Sequence, residues 1–419
     1  MEENKKNSIF GILIVIILIF IIGIISAYIS INKAKNKNKI EDDKKEEKYN
    51  FTYSLIKNSN NNIGKDNYMI SPYSIEIALS MLRDGTANKS YDELNKVVPK
   101  RDIMDLSIKD KISIANGVFI KDIYKDSVLP SYYELLSKEY KSELIYDPFK
   151  TPDKINKWVD EKTNHMIPSV VDDISEDFVM GVANAVSMEL DWKDSFMCEN
   201  TKKDTFKLKD NSTMDVFMMN KTYESDASYY KNKDFSSVII PYKSYDKETG
   251  EEKDNGESIE FIGIIPKNID SFINTLDEDL IKKIDKNKKT ASDKLSISVG
   301  LPRFNFDYDF KKFQSTLNKL GIKEIFSDRA DFSNMINESI YVSKSVHKSH
   351  IEVDEKGTKA SAVTYFGMDK NSASIDKEYF NIKFNKPFVF IIKDSDSNEI
   401  LFFGVVYEPI KYNDFELDC

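Results

Sequence analysis

The stretch IYVSKSVHKSHIEVDEKGTKASAVTYFGMDKNSASIDKEYF, residues 340–380, decides how this chain is read. Its first part, Ile340 to Val353, is rich in β-branched residues and reads as a strand. From Glu355 the character changes. Thr358, Ala360, Ala362 and Thr364 are small, uncharged and spaced two apart, while Lys359, Ser361, Val363 and Tyr365 occupy the positions between them. Such alternation gives an extended segment one inward and one outward face, which lets it slide between other strands. No proline interrupts it, so every backbone N–H can join a ladder. The second half, GMDKNSAS (367–374), is polar and suited to an exposed loop. The plain reading is a surface hairpin loop of about 20 residues, but loops that long without structure of their own are uncommon unless functional.

The surrounding chain is mixed. SIEIALSML (Ser74–Leu82) has helical spacing after a Ser71-Pro72 start signal, and Ile155–Ile167 and Phe310–Leu320 also read as amphipathic helices. Strand-like runs cover Ile112–Ile120, Phe178–Leu190, Ser236–Pro241, Ile259–Pro266, Leu295–Phe306, Ile340–Val353 and Phe380–Ile392. Leu401–Tyr407 is apolar on both faces and is expected at the centre of a buried sheet. Helices come early and strands late, which fits an α+β fold rather than βαβ units. No repeat or long Gly/Ser/Pro linker divides residues 49–419, so they read as one large domain.

Ahead of it lie a short polar N-terminus (1–8), an uncharged run IFGILIVIILIFIIGIISAYISI (9–31) and a solvated linker NKAKNKNKIEDDKKEEK (32–48). The 23 uncharged positions span a bilayer at 1.5 Å per helical residue. An uncleaved anchor is the expectation; a cleaved signal and a buried core helix are the alternatives. Lys33, Lys35, Lys37 and Lys39 follow the run, which by the count of basic residues favours the inside. A large domain after a lone N-terminal anchor favours the outside. The expectation is therefore a membrane-anchored domain outside the cell, or a secreted one if the segment is cleaved.

The chain of 419 residues carries 60 Lys+Arg against 70 Asp+Glu, a net charge of -10. Residues 1–48 hold nine Lys against seven Asp+Glu, so the rest carries -12. An acidic domain without a basic stripe is a poor nucleic-acid partner. Cys198 and Cys419 are the two cysteines, which excludes a disulfide scaffold and a Cys-rich zinc site; whether they pair is open. No GxSxG, HExxH, GxxxxGK[ST] or CxxC occurs. Of the three histidines, His165, His347 and His350, the last two are three apart on a strand-like run and point to opposite faces. A buried, hydrogen-bonded His347 is the expectation. No cofactor and no metal are expected, and the chain does not read as an enzyme.

At Ile340–Thr364 the chain resembles the serpin strand that leads into the reactive-centre loop. ISPYSIEIALSMLRDGT (70–86) is similar to the family's helix-B signature, and INKWVDEKTNHMI (155–167) to its helix F. VANAVSMELDWKDSF (182–196) resembles the third strand of the main sheet with its Trp. Leu301–Met335, FNKPFVFII (384–392) and FFGVVYEP (402–409) complete a set in the family's order. The resemblance spans about residues 50–410 and implies a serpin fold, with three mixed or antiparallel sheets, about eight to nine helices and an exposed loop near 355–379. It implies a monomeric suicide inhibitor of a serine, or else a cysteine, protease. The protease attacks the loop and forms an acyl-enzyme; the cut loop then inserts as a new strand of the main sheet before water can deacylate it. A non-inhibitory serpin, acting as chaperone, carrier or regulator, is the alternative.

The same resemblance assigns residues. Glu355, Gly357, Thr358, Ala360, Ser361 and Ala362 match the loop hinge, with Val363 bulkier than the usual alanine. Ser71, Ser74, Asn184 and His347 match the polar cluster where strands part, and Trp192 matches the aromatic where insertion begins. Arg303 matches the basic partner of Glu355; as a surface pair it would add about 0–1 kcal/mol. His165 stands where the family usually has Gly. Counted from Glu355, the reactive bond falls at Asn371-Ser372, while a count one shorter gives Lys370-Asn371. Lys370 suits a trypsin-like pocket, Met368 an apolar one, and cleavage nearer Asp376-Lys377 is conceivable.

Overall fold

A computed structural model describes residues 51–60, 66–98, 100, 102–176, 178–254, 256, 258–342, 345, 347–358 and 377–413. The run 9–31, the linker 32–48 and Cys419 lie outside the described residues. So do the loop residues 359–376, with Ala360, Ser361, Ala362, Lys370, Asn371 and Ser372. Among the described residues no helix is long and apolar enough to cross a membrane.

A helix over 51–60 (α1) precedes the short strand β1 (Tyr68–Ile70). Helix α2 (Pro72–Gly85) then starts at the signal seen in the sequence. The Ser74 N–H donates to Ser71 Oγ at 3.2 Å, and Pro72 sits in the first turn, where its missing N–H costs nothing. Next come α3 (Asn88–Val97), β2 (Ile112–Lys121), α4 (Pro130–Tyr140), β3 (Glu143–Asp147) and α5 (Asp153–Lys162). The helix read over Ile155–Ile167 stops at Lys162 because Asn164 and His165 turn left-handed, with φ of 50° and 62°. That is a conformation glycine adopts freely, and His165 holds it by bonding Asp160 at 2.7 Å.

The rest of the chain is mostly strand. The strands are β4 (Met180–Met188), β5 (Leu190–Asp191), β6 (Lys202–Lys207), β7 (Thr213–Tyr223), β8 (Ser228–Lys231), β9 (Phe235–Pro241) and β10 (Ile259–Pro266). After α6 (Ile269–Thr275) and α7 (Glu278–Asn287) come β11 (Lys289–Thr290), β12 (Leu295–Pro302), β13 (Phe304–Asp309) and α8 (Phe313–Leu320). The chain finishes with β14 (Lys348–Val353), β15 (Gly357–Thr358), β16 (Glu378–Lys383), β17 (Phe388–Asp394) and β18 (Ile400–Val406).

The described strands form four sheets, ordered β1-β18-β17-β10-β9-β8-β11, β16-β12-β7-β6, β13-β14-β15-β5 and β3-β2-β4. Three apolar runs that read as single strands are each divided. Leu295–Phe306 breaks at Arg303, and its halves enter different sheets. Phe380–Ile392 breaks before Pro387, again across two sheets. Among the described residues of Ile340–Val353, those from Lys348 onward are strand and Ile340, Tyr341, Val342, Ser345 and His347 are not. The seven-stranded sheet is the core, with every residue of β17 and β18 buried. β18 lies second from its edge beside β1, not at the centre, and still hides both faces because α2 packs on it.

Candidate functional site

Two of these sheets share one continuous run of chain. β4 and β5 follow each other with only Glu189 between them, yet they fall in separate sheets. At the β5 end, β15 is bonded on both sides. Gly357 and Thr358 pair antiparallel with Asp191 and Leu190, and Thr358 pairs with Val353 of β14. Below that point β4 pairs with β2, β14 pairs with β13, and no partner lies between β4 and β14 among the described residues. The two edges face each other across a cavity of about 430 Å³, walled by Ser71, Val159, Val182, Ala183, His347 and Ser349 among others. An unpaired strand edge is a template for another strand.

The hinge turn at the top of this slot is held from the segment that follows β5. The Trp192 N–H donates to Lys356 O at 2.8 Å, and the Phe196 N–H to Glu355 O at 2.9 Å. The Trp192 indole N–H donates to Asp354 O at 3.0 Å. Within the turn, Asp354 Oδ1 accepts the N–H groups of Lys356 and Gly357, and burial pushes the Asp354 carboxyl up. Gly357 is needed sterically, because a Cβ there would stand 2.0 Å from Leu190 O. Arg303 and Glu355 meet through two contacts, Nε to Oε1 at 2.9 Å and Nη2 to Oε2 at 2.7 Å. The side chains are only 13% and 7% exposed, so this is a buried bidentate pair and not the surface pair expected from sequence. Thr201 Oγ1 donates to the same carboxylate.

Trp192 is fully buried and stacks on Tyr242, with ring centroids 4.6 Å apart and planes 8° from parallel. The Tyr242 hydroxyl shares a 2.7 Å hydrogen bond with Thr358 Oγ1, and burial raises its pKa far above the usual phenol value. Thr358 thus points inward.

Below, His347 lies beside the slot. Its Nε2 accepts the Ser71 N–H at 3.2 Å, which requires a neutral ring at that nitrogen. Burial lowers its pKa from 6.5 to about 4. Ser349 Oγ donates to Met69 O at 2.8 Å, and Asn116 Nδ2 donates to Tyr140 O at 2.8 Å. Helix α2 supplies Ser74, and α5 closes the other face with Ile155 and Val159. His350 bonds Asp307 at 2.7 Å on the face opposite His347.

Ser71, Ser74 and His347 thus line the slot, and Trp192, Arg303, Glu355, Gly357 and Thr358 gather at its upper end. Asn184 falls on β4 opposite Asn116; its side chain is outside the described set. Sequence reasoning missed Thr201, Tyr242 and Asp354. Only Tyr242 left a trace, as the first residue after the apolar run that forms β9.

A family model described as "Serpin (serine protease inhibitor)" matches residues 46–409. An uncharacterized serpin-like protein of Thermococcus kodakarensis is 29% identical over 385 residues, covering 86% of this chain and 84% of that one. The leukocyte elastase inhibitor of Sus scrofa is 26% identical, covering 86% of this chain and 97% of its own. Among solved structures, a thermophilic serpin, tengpin, in the native state superposes with a TM-score of 0.72 at 27% identity, over 87% of this chain and 93% of that one. Uncleaved ovalbumin shares the fold, with a TM-score of 0.71 at 21% identity.

Proposed function

The chain belongs to the serpin family, and from that premise we propose that it is a suicide-substrate inhibitor of a serine or cysteine endopeptidase. The observation that carries this reading is the slot between β4 and β14, which continues the line of β15 downward. Running the two observed registers forward puts Ala360 between Met188 and Ile351, Ala362 between Val186 and Ser349, and Thr364 between Asn184 and His347. In that register these small residues would share the inward pointing of Thr358. Lys359, Ser361 and Val363 would face out. A segment built this way gains ladder bonds on both edges and brings no charge into the core.

The chemistry is the protease's own. Its Ser Oγ or Cys Sγ attacks the carbonyl carbon of the scissile residue, the C–N bond breaks, and the new amine leaves on the C-terminal fragment. The acyl bond would be at Asn371 by spacing or at Lys370 by chemistry. Insertion of residues 359 to 370 would carry that bond roughly 40 Å along the sheet, at about 3.3 Å per residue. Trapping succeeds if this motion outruns attack of water on the acyl bond. The leukocyte elastase inhibitors among the relatives, at 26–27% identity, support protease inhibition in kind. We also propose that residues 9–31 tether the domain to a membrane, facing outward.

The test mixes the protein with a trypsin-like, an elastase-like, a subtilisin-like, a papain-like and an Asn-specific protease. A complex that survives boiling in detergent is expected with at least one, and the mass of the released C-terminal peptide reads the bond. Clean cleavage by all five, with no rise in the thermal midpoint of the cut protein, would overturn the proposal.

A further inference from the structure

Between β9 and β10 the described residues of 242–258 form an arm that carries a turn built on Asp246. Asp246 Oδ1 accepts the N–H groups of Glu248 and Thr249, its carboxylate pairs with Lys253 at 2.7 Å, and its N–H donates to Glu251 O. The arm lies against the segment before β2. The Lys109 N–H donates to Lys247 O at 3.1 Å, and Lys247 Nζ donates to Asp105 O. Gly250, at φ +73°, fits so closely that a Cβ would be 2.2 Å from Lys109 O.

The base of the arm converges on one residue, Asp191. The Lys243 N–H donates to Asp191 O at 2.9 Å. The Tyr245 hydroxyl donates to Asp191 Oδ2 at 2.9 Å and accepts the Asp191 N–H at 3.3 Å. Lys111 completes the cluster, 3.6 Å from the same carboxylate and 4.9 Å from the Tyr245 ring centroid. Tyr245 is buried, 3% exposed. Asp191 is the residue that pairs with Gly357 on the other edge of β5. The strand that receives the hinge is therefore gripped from behind by the arm.

We propose that Tyr245 is a positioning residue for loop entry: through Asp191 it fixes β5 as the template on which residues 357 onward take their register. The inference rests on the reading that the cut loop inserts. A strand two residues long has little ladder of its own to hold it. Both backbone groups of Asp191 are bonded to the arm, so the register of Gly357 and Thr358 is set before the sheet opens below them.

The experiment cuts the loop with a subtilisin-like protease at concentrations where cutting no longer limits. The emission of the two tryptophans, Trp158 in α5 and Trp192 beside the hinge, is followed by stopped flow, with the protease's own signal subtracted. Tyr245→Phe keeps the ring and removes the hydroxyl. It is expected to slow the fluorescence change about fivefold, the size of one hydrogen bond, while the final thermal midpoint of the cut protein stays at the wild-type value. Gly250→Ala, which pushes the arm off Lys109, is expected to act the same way. Asp191→Asn, which keeps an acceptor for the Tyr245 hydroxyl, is expected to slow the change less than Tyr245→Phe does. Wild-type insertion with unchanged rates in Tyr245→Phe and Gly250→Ala overturns the inference. A variant that lowers the thermal midpoint of the uncut protein at an unchanged rate assigns the arm to stability alone and overturns it too. No rise in the midpoint of the cut wild type strikes the inhibitor reading instead.

Discussion

The seven-stranded sheet and the divided sheet have similar raw materials and opposite states. In the first, β10, β17 and β18 pair in continuous antiparallel ladders, and β17 and β18 are buried throughout. In the second, β4 and β14 stand apart below the hinge with a cavity between them. Aromatic side chains fill the closed sheet, as with Phe403 beside Tyr68 and Phe390 stacked over Phe261. The open one mixes small and polar groups such as Ser71, Ala183 and Ser349 with large apolar ones such as Phe119, Phe178 and Phe313. The difference teaches where each property resides. Interlocked rings fix the first sheet because any separation opens a void, whereas serines and a neutral histidine can exchange hydrogen bonds as strands part.

The comparison breaks most easily at its closed side. Phe403, fully buried in β18, should cost about 3–5 kcal/mol on replacement by alanine. If the closed sheet is a passive frame, the urea midpoints of intact and loop-cut protein should fall by the same free energy. A loss confined to one form would mean that this sheet also rearranges, and the contrast would not stand.

The sequence disclosed most of the frame and less of the slot. Period-two and helical spacing located α2, β2, β9, β10 and β18 to within a few residues, because burial on one or both faces dictates composition directly. The same spacing could not show that Leu295–Phe306 changes sheet at Arg303, since a bend leaves the alternation intact on either side. Of the run of small residues read as the hinge, Gly357 and Thr358 are described, at the top of the slot, and Arg303, Glu355 and Trp192 were suggested by their neighbours in the chain. The burial of the ion pair was not, because it depends on Thr201, just before β6, and Phe217 of β7 arriving from elsewhere in the chain. Tyr245 gave no signal either: it sits in a charged loop, and its burial comes from Lys111 and Asp191, far away in sequence.

The next largest effect tests the junction of the two sides. Arg303→Ala leaves the Glu355 carboxylate buried, with the Thr201 hydroxyl still donating to it. Breaking one side of a buried pair costs about 3 kcal/mol, far more than the surface estimate. The intact protein should unfold at a correspondingly lower urea concentration, and Arg303→Lys, which cannot make both contacts, should lie between. A loss under 1 kcal/mol would show that water reaches the pair and that the hinge is looser than its geometry.

The smallest effect is also the one most particular to the slot. His347 is buried with its ring neutral, its pKa lowered from 6.5 to about 4 because burial penalises the charged form. Below pH 6.5 the unfolded chain accepts a proton that the native site refuses, so the native state loses stability as pH falls toward 4 and no further below it. The slope approaches about 1.4 kcal/mol per pH unit between the two values, which makes about 1.6 kcal/mol between pH 6.5 and 5. His347→Gln keeps an acceptor for the Ser71 N–H and does not titrate. Asp173 and Lys348 also line the cavity, and neither is altered by the substitution. The wild-type urea midpoint should therefore fall more steeply than that of the variant over this interval, and the two curves should run parallel above pH 7. The closed sheet offers no counterpart, because its buried rings carry no group that titrates there. Equal pH profiles for the two proteins would mean that His347 is already solvated, with the slot filled by water rather than bounded by a dry, switchable wall.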